Sequence, residues 1–189
     1  MNLAHYALDK VAEFRKAAGL SISSGTDTDH ALHHKLFAEE YDELSEAKTL
    51  ADEADSFADQ LVVIAGYFLD CGGNCNWQPV KEFIGMDYYA IADELEDAAE
   101  DQGIALKAAF DIVHKSNMTK FTKDFSVITQ TIDDYLDKGI YVEAKETDDL
   151  WAVFSAQDQT VNGKHYPKGK LLKPVTYKEP DWSNKSWMI

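Results

Sequence analysis

The sequence predicts a mainly α-helical protein with a small β-containing C-terminal extension, and three observations carry that expectation. Before Phe121, apolar residues recur at helical spacing, as in Leu3, Ala7, Val11, Phe14 and Ala18. Glycines punctuate these segments where helices would stop, at Gly19, Gly72 and Gly103. After Phe121 the pattern shifts to the β-like runs IYVEAK and LWAVFSA and to a turn-rich basic tail, VNGKHYPKGKLLKPVTYKEPDW. With 189 residues and a hydrophobic content of 45%, the chain can bury a sizeable core as one domain with a modest appendage. The expected division is a helical body over 1–121 and an extension over 122–189.

The elements follow in order. A first amphipathic helix spans 3–18 and ends at Gly19 in the position after the cap. The loop SISSGTDTD is rich in residues that bond their own backbone, and Asp27 or Asp29 is placed to cap a second helix over 31–50. A short connector predicts that the third helix, over 51–70, returns antiparallel. Residues 74–100 contain a less regular stretch around Pro79 and then a second acidic helix over 87–101, whose acids spread around the axis as on a solvated face. Gly103 precedes a helix over 105–120, and residues 124–139 hold one more. Asn162-Gly163 is a strong hairpin turn signal.

Two acidic clusters stand out in the second and third helices. At 100° per residue, Glu40 and Glu43 fall about 60° apart on an arc that also carries Leu36, Leu44 and Ala47, with Glu39 beside it. Asp52, Asp55 and Asp59 share an arc of about 60° that continues into Val62, Val63 and Gly66. Carboxylates are therefore expected on the faces that the apolar pattern marks as packed. Inward-facing carboxylates need cations, and Lys48 is the one basic residue of 36–66. Two helices presenting such acids to each other suit a hard divalent cation with oxygen ligands, Mg²⁺ in particular. The alternative is a solvated face in a very acidic protein.

Composition narrows the partners. Lys and Arg total 18 against 34 Asp and Glu, a net charge of −16, which repels a nucleic-acid backbone and argues against polymer binding. Two cysteines, Cys71 and Cys75, are too few for a disulfide framework and lack further zinc ligands. No basic segment leads into an apolar run at the N-terminus, and the run over 61–69 is too short to span a bilayer. A soluble, cytoplasmic protein with no membrane partner is expected. Asp111 and His114 make a D-x-x-H pair, but no second pair accompanies it, so a carboxylate-bridged di-iron bundle is discounted. His33 and His34 are expected on the helix surface.

Glu39-Glu40-x-x-Glu43 followed by an acidic second helix resembles the EExxE…ExxD signature of the all-α nucleotide pyrophosphohydrolases, the superfamily of MazG-type proteins, dimeric dUTPases and phosphoribosyl-ATP pyrophosphohydrolases. VAEFRKAAGL, DEADSFADQLVVIAGY, GIALKAAFDIVHKSNMTKF and GKHYPKGKLLKPVTYKEPDW are similar, in that order, to segments of a MazG-like branch. Asp52 departs from the pattern, which has Glu there, and the gap from Glu43 to Asp52 is short. Residues 74–100 and 122–150 look like insertions.

The resemblance implies an antiparallel helical bundle of the all-α NTP pyrophosphatase type, assembled as a homodimer or homotetramer. It implies a Mg²⁺-dependent (or Mn²⁺-dependent) hydrolase that attacks a nucleoside triphosphate, canonical or modified, at the α-phosphorus and releases nucleoside monophosphate and pyrophosphate. Metal ligands would be Glu40, Glu43, Asp52, Asp55 and Asp59, the last as a ligand or as a group orienting one. Glu39 is the candidate water-activating base, with a further metal ligand as its other role. At the SNMTK block, Lys115 just before it would neutralise phosphate charge, Asn117 offers a donor and acceptor pair to a base or sugar edge, and Lys120 is a further substrate-binding candidate. The competing reading is a non-catalytic acidic helical protein that binds a partner and keeps the bundle without turnover.

Overall fold

Helical spacing is realised as six α-helices among the described residues: α1 (Leu3–Ala17), α2 (His30–Glu46), α3 (Leu50–Asp70), α4 (Tyr88–Asp101), α5 (Leu106–Met118) and α6 (Phe125–Asp137). Four short strands follow, β1 (Val142–Thr147), β2 (Leu150–Ser155), β3 (Gln159–Val161) and β4 (Lys164–Tyr166), and then a 3₁₀ turn, Lys185–Trp187. The structure is a computed structural model that describes residues 2–20, 22, 30–72, 83 and 85–189, with the side chains of 30–32 excepted. The expected caps Asp27 and Asp29, and Cys75, lie outside the described residues. Mainly α with small antiparallel sheets is thus the architecture.

Two compact units make up the chain. Residues 1–15, 21–115 and 180–189 form the first, and residues 16–20 and 116–179 the second. The division falls after Lys115 rather than after Phe121, and the C-terminal segment belongs to the first unit.

In the first unit, α3 supplies the central apolar face, with Ala54, Phe57, Ala58, Leu61, Ile64 and Ala65 all buried. Thr49 starts this helix through a capping box with Asp52, and Gly72, at φ 63°, follows its Cys71 cap. Around that face pack Leu3, Ala7 and Val11 of α1, Phe37 of α2, and Leu106, Ala109, Phe110 and Val113 of α5. Residues 88–100, read from sequence as part of an insertion, are core: Tyr88, Ile91, Ala92, Leu95 and Ala99 are buried. The Tyr88 hydroxyl donates to the Ala4 carbonyl at 2.7 Å. Asp87 caps α4 by accepting from Ala90 N. Trp187 closes this unit, 1% exposed, with Ala105 N donating to its carbonyl at 2.8 Å.

The second unit packs α6 on the hairpin of β1 and β2 around Ile128, Val153 and Leu172. The strands pair antiparallel from Val142↔Ser155 to Thr147↔Leu150. Their two-residue turn is Asp148-Asp149, both at positive φ (48° and 62°), the geometry a tight hairpin needs but one that Gly or Asn adopts more readily. The predicted turn Asn162-Gly163 joins β3 to β4, at φ 51° and 80°. Among the described residues, no helix is long and apolar enough to cross a membrane.

Candidate functional site

The acidic residues are concentrated in one part of the chain. Ten lysines and ten acids share the second unit, while the first holds 24 acids and 8 basic residues, so the whole net charge of −16 resides there. Within it, α2 and α3 bring the two sequence-predicted clusters together. The Ser56 hydroxyl of α3 donates to the Glu40 carbonyl of α2 at 2.6 Å. The two residues stand at similar distances along the chain from the connector at 47–49, so the helices run antiparallel.

The faces are only partly as expected. On α2, Glu40 is half-buried on the arc of Leu36, Phe37 and Leu44, whereas Glu39 and Glu43 are exposed at its edge. On α3 the fully packed arc is the one through Ala54, Phe57, Ala58 and Leu61, and the acids occupy a different one. Asp55 and Asp59 are half-buried there and Asp52 is exposed. Burial, then the negative charges of Asp59, Glu43, Asp55 and Glu39 in that order, push the Glu40 carboxyl from its ordinary 4.5 up to about 8. Five of the six predicted acids therefore share one electrostatic neighbourhood.

Asp52 stands apart from it. Its Oδ2 accepts from Thr49 N at 2.9 Å and from Lys48 N at 3.2 Å, and Thr49 Oγ1 accepts from Asp52 N at 3.1 Å. The Thr49 contact, followed by the Lys48 backbone, holds its carboxyl below the usual carboxylate range. Asp52 still lines, with Glu43, Glu46, Lys48, Asp55 and Ser56, a hollow of about 320 Å³ between the two helices. The Thr49-x-x-Asp52 spacing is the capping-box signature in shortened form, a signal that the acid pattern masks.

Chemically, an all-oxygen set of carboxylates, one of them raised by burial and then by the charges of its neighbours, has the donor chemistry a hard divalent cation takes, and a bound cation would offset that charge. Among the described residues, no group of three His, Cys, Asp or Glu side chains stands ready-gathered as a ligand set.

The residues of the SNMTK region are placed differently. Lys115 is exposed at the end of the first unit's part of α5. In the second unit, Lys120 Nζ donates to Asn117 Oδ1 at 2.6 Å. Ser116 of the same block is buried, bonded to the Tyr177 hydroxyl at 2.8 Å and to the Lys178 carbonyl at 2.7 Å. Asp111 accepts from the Tyr6 hydroxyl at 2.6 Å and from Lys107 at 3.2 Å, while His114 lies 3.5 Å from Glu13 and is held below its ordinary pKa by burial. That D-x-x-H pair ties α5 to α1.

His33 is not on the surface as expected. It is half-buried against Tyr67, and its Nε2 lies 2.6 Å from Asp70, whose other oxygen takes Arg15. A lone Arg on the apolar face of α1 and an Asp closing α3 were the available signals for this buried ion pair.

Comparison with protein-family models, with curated proteins and with solved structures finds no match for the chain.

Proposed function

We propose that the protein is a divalent-cation-dependent nucleoside triphosphate pyrophosphohydrolase of the MazG-like, all-α type, cleaving at the α-phosphorus to give nucleoside monophosphate and pyrophosphate. The observation that carries this reading is the meeting of the α2 and α3 acids around a Glu40 carboxyl raised to about 8. It is supported by the resemblance of Glu39-Glu40-x-x-Glu43, the second acidic helix and the SNMTK block to that superfamily.

Mg²⁺ bound by Glu40, Glu43, Asp55 and Asp59 would offset the charge of a triphosphate and supply a water acidic enough to attack phosphorus. Glu39, exposed beside those ligands, would take the proton of that water. Lys115 would carry phosphate charge, and Asn117 and Lys120 are candidates for substrate contact on the resemblance alone. Asp52 enters this set only by giving up its cap. A homo-oligomer is part of the same reading.

One observation favours a non-catalytic acidic partner-binding protein instead, namely that the Asp52 carboxylate is committed to Thr49 and Lys48. Pyrophosphate release from a panel of canonical and modified nucleoside triphosphates, with Mg²⁺ and with Mn²⁺, separates the two readings. Turnover by the wild type that falls about a hundredfold in Glu40→Gln supports the enzyme. No release from any nucleotide with either metal would transfer the assignment to the binding protein.

A further inference from the structure

A serine inside a helix ordinarily bonds its hydroxyl to its own backbone one turn back. Ser56 does not. It is 4% exposed, and its hydroxyl crosses from α3 to the Glu40 carbonyl of α2 at 2.6 Å. Its single hydrogen is committed there, so Ser56 Oγ can only accept from Gln60, whose Nε2 donates to it at 3.3 Å. Gln60 is 0% exposed, and its Oε1 is buried with no hydrogen-bond partner among the described residues. A buried amide kept with one end unsatisfied, in a face otherwise built of Ala, Phe and Leu, is costly, and the bonded end is where a compensating task lies. The carbonyl that Ser56 holds belongs to the residue whose carboxylate is centred among the acids. Moving α2 by one residue along α3 would break the bond and shift Glu40 and Glu43 away from Asp55 and Asp59. Ser56 also lines the acidic hollow beside Glu43 and Asp55.

We infer that Ser56, backed by Gln60, is a positioning residue for a divalent cation: through the Glu40 carbonyl it fixes where the α2 carboxylates stand against those of α3. This rests on the reading that these acids take a divalent cation.

Mn²⁺ titration of the full chain, followed by the electron paramagnetic resonance signal of free Mn²⁺, tests it on wild type, Ser56→Ala and Ser56→Thr, with the metal-free melting temperature of each recorded. The expected result is Mn²⁺ binding by the wild type, an affinity about tenfold weaker in Ser56→Ala, and recovery in Ser56→Thr, which restores the hydroxyl. A merely structural serine would lower the melting temperature and leave the affinity of the folded protein alone. Equal affinity in wild type and Ser56→Ala would overturn the inference while the divalent site stands. No Mn²⁺ binding by the wild type would overturn both. If Ser56→Ala does not fold, Gln60→Met, which keeps the volume and removes the donor, carries the same comparison: weakened binding supports the inference and unchanged binding overturns it.

Discussion

Thr49 and Asp52 hold each other reciprocally at the start of α3, the threonine hydroxyl accepting from Asp52 N at 3.1 Å and the aspartate from Thr49 N at 2.9 Å. Removing the hydroxyl in Thr49→Ala is expected to destabilise the protein by about 1 kcal/mol, read as a lower urea midpoint. The same pairing ranks the acids. Asp52→Asn should weaken Mn²⁺ binding less than Asp55→Asn, because Asp55 is among the main charges that act on Glu40, whereas the Asp52 carboxylate is held by Thr49 and Lys48. Equal losses in the two variants would show that Asp52 leaves its cap to bind metal.

Glu40 makes stability depend on pH in a defined direction. In the folded protein its carboxyl keeps its proton up to about 8, whereas in the unfolded chain it loses it near 4.5. Between these values the folded state binds more protons, so raising the pH costs stability across that window. Thermal melts of wild type and Glu40→Gln from pH 4.5 to 8 should diverge, the variant declining less. Identical slopes would mean that neither burial nor the neighbouring acids raise the Glu40 carboxyl.

The turn between β1 and β2 places two aspartates side by side at positive φ. Asp149→Gly relieves that backbone cost and is expected to stabilise the protein by about 0.5–1 kcal/mol in chemical denaturation. Gly163→Ala in the other hairpin, at φ 80°, should act in the opposite sense.

Trp187 is 1% exposed, and its Nε1 donates to the Trp182 carbonyl at 3.3 Å. Trp187→Ala should cost about 3–5 kcal/mol, as large core truncations do, and be visible as a lowered denaturation midpoint. A loss below about 1 kcal/mol would mean that the first unit is complete without its C-terminal segment.

What the sequence discloses and what it hides follows the range of the interactions. Gly19, Asp87 and Asn162-Gly163 act within a turn of chain, and each stops or starts an element where expected. Glu40 on the arc of Leu36 and Leu44 is equally local, because period alone places it there. Thr49 escapes notice because Asp52 reads first as an acid of the cluster. Asp70 with Arg15 and His33, Ser56 with Glu40, and Trp187 in the first unit join residues far apart in the chain, and no local pattern announces them. Residues 87–101 read as a solvated face because their acids spread around the axis, while the buried stripe through Ile91, Ala92, Leu95 and Ala99 is thin.

The return of Trp187 to the first unit also sets an order of assembly on the ribosome. Domains ordinarily complete themselves in the order in which they are synthesised. Here residues 116–179 are made before residues 180–189 can fill the space beside Ala105 and Ile104. The unit that begins to emerge first is the last to close, and until then its acidic helices wait on an unfinished core.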